Sequence, residues 1–127
     1  MRTIGIGTDI AEIDRIEAMA VKHAESFLTR VYTPDERAYC ETKKQSAQHW
    51  AGRWAAKEAV LKALGTGWSE GIAWTDVEVR TSPEGKPSIR LSGGAKKYAD
   101  SLGVADVLIS ISHCDTYAVA FACAVGE

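Results

Sequence analysis

Cysteine is scarce in this chain and odd in number: Cys40, Cys114 and Cys123 are the only three, and no two stand in CxxC spacing. That excludes both a disulfide framework and a cysteine-based zinc site. Proline is equally rare, with three residues in 127. No linker, low-complexity stretch or internal repeat breaks the chain, so a single domain over 1–127 is expected. An excess of charge is missing too, since 15 Lys and Arg stand against 17 Asp and Glu for a net charge of −2. Without a basic field, nucleic acid is not an expected partner. No apolar run approaches membrane-spanning length and the N-terminus carries no signal-peptide pattern, which predicts a cytoplasmic protein that meets no membrane. What the chain does have is 46% hydrophobic residues, enough for a core.

The most informative stretch runs Arg53-Trp54-Ala55-Ala56-Lys57-Glu58-Ala59-Val60-Leu61-Lys62-Ala63-Leu64-Gly65. Alanine and leucine favour a helix, and Gly65 sits where a helix stops. Spacing of i and i+4 stacks Glu58 and Lys62 on one helix face. By spacing alone such a pair is most often a solvated ion pair. A second carboxylate raises the functional reading. In Arg2-Thr3-Ile4-Gly5-Ile6-Gly7-Thr8-Asp9-Ile10, alternation puts Ile4, Ile6 and Thr8 on one strand face and Gly5, Gly7 and Asp9 on the other. Two glycines on one face predict close approach by a helix, a ligand or another backbone. If the Glu58 helix is what approaches, two carboxylates meet. One or two carboxylates, with water and substrate phosphates completing the shell, are the usual way proteins hold Mg²⁺, and a phosphate-transfer site follows.

Elsewhere, a helix is expected from about Glu12 to Leu28, with Ile13, Ile16, Ala20, Ala24 and Phe27 on one face and Arg15, Met19 and Lys22 opposite, Met19 exposed among the charges. Thr33, Pro34 and Glu36 form a capping box for a second helix reaching about Lys43. Trp50 and Trp54 stand one turn apart on the long helix, where core packing is their default role. Gly65 and Gly67 serve turn geometry and close approach, because a helix C-terminus repels an anion. Val77–Arg80 and Ser88–Leu91 read as a hairpin, and Ser92–Leu102 as a short helix closed by Gly103. Val107, Ile109 and Ile111 form an apolar row ending at His113, most often a structural position for histidine. Tyr117, Val119, Phe121, Cys123 and Val125 alternate with four alanines, and this strand is expected to be buried on both faces. The predicted fold is α+β, an antiparallel sheet packed against one long and several shorter helices.

The chain resembles the holo-acyl-carrier-protein synthase family of small phosphopantetheinyl transferases. The resemblance rests on Gly5-Ile6-Gly7-Thr8-Asp9-Ile10, Arg30 through Glu36, Arg53 through Ala59 with Lys62, Gly65-Thr66-Gly67, Gly85-Lys86-Pro87 and Ser112-His113, in that order along nearly the whole chain. It implies transfer of 4'-phosphopantetheine from coenzyme A to a serine of apo-acyl carrier protein, in support of fatty acid synthesis. It implies that Asp9 and Glu58 carry Mg²⁺ and that Lys62 faces the diphosphate. It further implies that Gly65, Lys86, Pro87 and His113 join Lys62 in binding coenzyme A, and that Arg15, Met19 and Lys22 meet the acidic carrier helix. Homotrimers with sites between subunits belong to the same resemblance. One departure is Cys114, where family members often carry a hydroxyl or acidic residue.

The chemistry so implied gives Lys62 the charge developing on the bridging oxygen and makes Glu58 the best candidate base. Two other classes use the same residues. A Mg²⁺-dependent phosphohydrolase would employ the carboxylates with water as nucleophile, and a non-catalytic nucleotide-binding module would keep Lys62, Lys86 and His113 without a metal.

Overall fold

The computed structural model describes residues 1–68 and 71–127. In chain order the elements are β1 (Arg2–Glu12), α1 (Ile13–Val31), α2 (Pro34–Glu41), α3 (Ser46–Leu64), a 3-10 turn (Trp74–Asp76), β2 (Val77–Thr81), β3 (Pro87–Leu91), α4 (Gly93–Ser101), β4 (Val104–His113) and β5 (Tyr117–Gly126). Strands β1, β5 and β4 form an antiparallel sheet in that order, and β2 and β3 form a separate hairpin. The α+β architecture is therefore as expected.

The long helix α3 packs on one face of the sheet, and small residues let it come close. Ala51, Ala55, Ala59 and Ala63 recur every four residues along α3, and Ala118, Ala120, Ala122 and Ala124 recur every two along β5; all are buried. The two glycines of β1 complete this interface. A Cβ on Gly5 would stand 2.0 Å from the Ala63 carbonyl oxygen, and one on Gly7 would stand 2.1 Å from that of Ala59. The approaching element is thus the helix that carries Glu58 and Lys62. Because the obstacles are backbone atoms, Gly7→Ala should destabilise the fold at the upper end of the roughly 1–3 kcal/mol that overpacking costs, measured as a lowered denaturant midpoint. An unchanged midpoint would mean that the helix rides higher above the sheet.

The capping box forms as the sequence predicts. The Glu36 N–H donates to Thr33 Oγ1 at 3.2 Å and the Thr33 N–H donates to Glu36 Oε1 at 2.9 Å. Glu36 does more than cap. Its Oε2 accepts the Val79 N–H at 2.7 Å, and its Oε1 pairs with Lys57 Nζ at 2.8 Å inside the core. Lys57 also donates to the carbonyls of Trp74 and Val77. Burial lowers the Lys57 pKa and the Glu36 carboxylate partly offsets this. One buried cluster therefore ties α2, α3, the 3-10 turn and β2 together.

Several expectations need correction. Helix α1 is kinked at Ala24, which has φ 39° and ψ −118°, so Ala24 is exposed instead of sharing the buried face of Ile13, Ile16 and Phe27. Positive φ is costly for a residue with a Cβ, and the kink leaves carbonyls without helical donors. The Ser26 hydroxyl satisfies that of His23 at 2.8 Å. In β1 a bulge between Thr3 and Gly5 lets Ile4 pack against the core while Ile6 stays 62% exposed. Strand β5 is buried along its alanine face, but on the other face only at its C-terminal end, at Val125 and partly at Cys123. Tyr117, Val119 and Phe121 on the other face are exposed, and so are their neighbours Ile10 and Leu108. Alternation identifies the two faces of a strand, but not whether a layer of the same chain covers each.

Candidate active site

The C-terminal half of α3 crosses β1, and there the predicted residues meet. Asp9 lies on the same strand face as Gly7, directed at α3, and Lys62 Nζ donates to Asp9 Oδ1 and to the Thr8 carbonyl, each at 3.1 Å. Glu58 lies one helical turn before Lys62 on α3, half-buried. Its Oε1 accepts the indole N–H of Trp68 at 2.9 Å. The Lys62 side chain is 53% exposed and that of Asp9 16%. An ion pair this wet contributes under about 1 kcal/mol, so an incoming phosphate or cation can separate it.

Among the described residues no three His, Cys, Asp or Glu side chains gather into a metal cage. The donor set is instead two carboxylates on adjoining elements. All-oxygen and incomplete, it fits Mg²⁺, which keeps waters and takes further ligands from substrate phosphates.

A second cluster surrounds the N-terminal half of α3. A cavity of about 240 Å³ is lined by His49, Gly52, Arg53, Gly85, Pro87 and His113, among others. Arg53 is only 4% exposed; it donates to Thr81 Oγ1 at 2.8 Å and lies 4.1 Å from the Tyr39 ring centroid. Its Nε is buried with no hydrogen-bond partner among the described residues. Burial, reinforced by Arg53, Lys43 and His113, lowers the His49 pKa. A guanidinium and two histidines thus line one cavity, a set of groups whose charge and donors suit an anion. His49 and Arg53 escaped the sequence reading although their i, i+4 spacing on the long helix was available. Lys86 is exposed in the hairpin turn and does not line the cavity. Cys114, next to His113, is exposed, and hydrogen bonds from the backbone at Thr116 and Tyr117 lower its thiol pKa.

The two clusters do not share a cavity within one chain. Arg53 and Glu58 are five residues apart on α3, about 140° around the axis at 3.6 residues per turn. Gly65 has φ 82° and Gly67 φ 63°, so their turn role holds, but a Cβ on either would meet nothing within 4 Å among the described residues. Among the described residues, no close approach requires them.

On α1, Arg15 and Lys22 are exposed as expected. Met19 is not. It is half-buried and, with His23, Phe27, Arg30, Trp54 and Trp74, borders a cavity of about 440 Å³. Three residues after the buried Ile16, Met19 flanks the buried face of α1 and packs against the core beside Trp54 and Phe27, whose rings stack at 5.9 Å.

Comparison with known proteins agrees with this geometry. The profile described as the 4'-phosphopantetheinyl transferase superfamily matches residues 5–122. The chain belongs to this superfamily. A curated holo-[acyl-carrier-protein] synthase of Protochlamydia amoebophila is 52% identical over 120 residues, covering 94% of this chain and 96% of that protein. The crystal structure of holo-[acyl-carrier-protein] synthase from Neisseria meningitidis superposes with a TM-score of 0.89 at 30% identity, covering 98% and 99% of the two chains. That of the Helicobacter pylori enzyme in complex with coenzyme A gives 0.83 at 33% identity, covering 94% and 99%. Among phosphopantetheinyl transferases of this size, the fold that brings Asp9 to Lys62 thus has solved counterparts.

Proposed function

We propose that the chain is a holo-[acyl-carrier-protein] synthase that moves 4'-phosphopantetheine from coenzyme A to a serine of apo-acyl carrier protein, releases adenosine 3',5'-bisphosphate and supports fatty acid synthesis. The observation that carries the reading is Lys62 joined to Asp9 one turn from Glu58, in a chain 52% identical to a curated enzyme of that name. The whole of 1–127 acts as one transferase domain. Asp9 and Glu58 hold Mg²⁺, which when bound offsets the diphosphate charge and takes up charge on the non-bridging oxygens. On arrival of coenzyme A, Lys62 Nζ leaves Asp9 for the diphosphate and stabilises the bridging oxygen as the bond to phosphorus breaks. The carrier serine hydroxyl attacks that phosphorus, and the Glu58 carboxylate is the nearest base for its proton.

The nucleotide end needs a second anchor, and the cavity of Arg53, His49, Pro87 and His113 suits a phosphate. Because it opens on another side of α3, we assign it to the site of a neighbouring copy, with Lys86 and Gly65 at the rim where copies meet. The apolar sheet face of Ile6, Ile10, Leu108, Val119 and Phe121 is where copies would bury one another, in a homotrimer. Light scattering at micromolar concentration should report three chains; an active monomer would return His113 to a structural role. No described helix is long and apolar enough to cross a membrane, and we place the enzyme in the cytoplasm.

The carrier protein, acidic in this family, meets the first half of α1. Arg15 and Lys22 supply local positive charge in a chain of net −2, and Met19 opens the apolar cavity beside them. Reversing Arg15 and Lys22 to Glu should raise the carrier KM about tenfold, flatten its salt dependence and leave coenzyme A binding unchanged. Unaltered carrier affinity and salt response would move the docking surface elsewhere.

Incubation with coenzyme A and Mg²⁺, with and without apo-acyl carrier protein, tests the whole reading by the mass of the products. A carrier heavier by one phosphopantetheine is expected. Breakdown of coenzyme A without carrier would make the chain a phosphohydrolase, and no covalent change a binding module.

A further inference from the structure

One contact at the site plays no part in the chemistry above, and it involves a residue with no assigned role. Gly65 and Gly67, both at positive φ, reverse the chain after α3. The reversal carries Trp68 back along the helix to Glu58, six residues before the end of α3 and about 9 Å along its axis. There the Trp68 indole N–H donates to Glu58 Oε1 at 2.9 Å. The ring is itself held: Trp68 stacks on Trp74 at 3.8 Å, Trp74 on Trp54 at 4.3 Å, and Trp54 on Phe27 at 5.9 Å. Lys57, buried next to Glu58 in sequence, fixes the Trp74 carbonyl at 3.1 Å. The donor that meets Glu58 is thus mounted on a row of aromatic rings anchored in the core.

We propose that Trp68 is a positioning residue for the reaction: its indole N–H holds one oxygen of Glu58, so that the carboxylate is oriented before Mg²⁺ and substrate arrive. The inference rests on the function proposed above. An unheld glutamate has three free side-chain torsions, and only some of its rotamers share an ion with Asp9. A donor on a stacked indole removes that search without removing the charge, because a carboxylate oxygen engaged by one N–H still leaves the group ionised and its partner oxygen able to bind. Packing alone does not account for the arrangement, since a phenylalanine at this position would stack equally well. What tryptophan adds is the N–H.

Trp68→Phe keeps the stack and deletes the donor. It should lower kcat roughly tenfold while the coenzyme A KM changes less than about twofold, and should weaken Mn²⁺ binding to the coenzyme A complex by a factor similar to the loss in kcat, read directly by electron paramagnetic resonance. A purely structural ring would leave kcat and Mn²⁺ affinity at wild-type values, which would overturn the proposal. A readout on the wild-type ring covers the case in which Trp68→Phe folds poorly. The Trp68 indole N–H resonance, assigned by selective labelling, should move clearly in Glu58→Ala, and an unmoved resonance would equally overturn it. Failure of the wild type to modify a carrier protein would instead sink the proposed function, while the resonance still reports whether Trp68 holds Glu58.

Discussion

Asp9→Ala and Glu58→Ala should each reduce transfer to the carrier protein by more than about 100-fold. Loss of a residue that merely orients a metal ligand already costs roughly 10–100-fold, and each of these removes one of the two carboxylates proposed to hold Mg²⁺. The fold should survive. Lys62, the partner that Asp9→Ala leaves behind, is 53% exposed, and Glu58 is half-buried, so neither deletion leaves a buried charge unpaired. The check is turnover at saturating Mg²⁺ by mass spectrometry, beside a thermal melt of each variant. Turnover within a fewfold of wild type would remove that carboxylate from the site, and a collapsed melt would make it structural.

The neighbouring residue should behave in the opposite way. Lys57→Ala strips the partner from a Glu36 carboxylate that is wholly buried and leaves the carbonyls of Trp74 and Val77 without their donor. Breaking one side of such a pair costs about 3–5 kcal/mol, a large part of the roughly 5–15 kcal/mol that holds a small protein folded. Urea titration should show the loss. Glu36→Gln offers no easy escape, because both oxygens accept backbone N–H groups, from Thr33 and Val79, and an amide presents only one oxygen. A loss below about 1 kcal/mol for Lys57→Ala would mean that water enters the cluster. Adjacent positions on one helix thus divide the labour, Lys57 holding the fold while Glu58 is the carboxylate proposed for the reaction.

Much of this could be read from the chain because the signals were local. The glycine pair of β1 predicted close approach by a helix, a ligand or another backbone, and the helix that ends at Gly65 is what approaches. The capping box at Thr33 was equally local, spanning four residues. What escaped depends on distance in sequence. Glu36 meets Lys57 across 21 positions, and nothing in the capping pattern says that the same carboxylate also reaches into the core. Trp68 returns to Glu58 through a loop, where side-chain period carries no information. The kink at Ala24 has no glycine or proline to mark it, and without it Ala24 reads as buried. The open sheet face was misjudged for another reason: the apolar pattern of Val119 and Phe121 is the same whether a layer of one chain or another copy covers it.

The alanine rows between α3 and the sheet have one more consequence. A usual helix-on-sheet interface is filled by leucine, isoleucine and phenylalanine, whose rotamers can shift to absorb a small displacement of one layer against the other. Alanine and glycine have no such rotamers and lose no side-chain freedom on burial. Between Ala51, Ala55, Ala59 and Ala63 on one side and Gly5, Gly7 and the β5 alanines on the other, main chain bears almost directly on main chain. The joint therefore has little give. Asp9 and Lys62 stand on its opposite sides, so the gap between them is set by a stiff stop and not by a cushion of side chains.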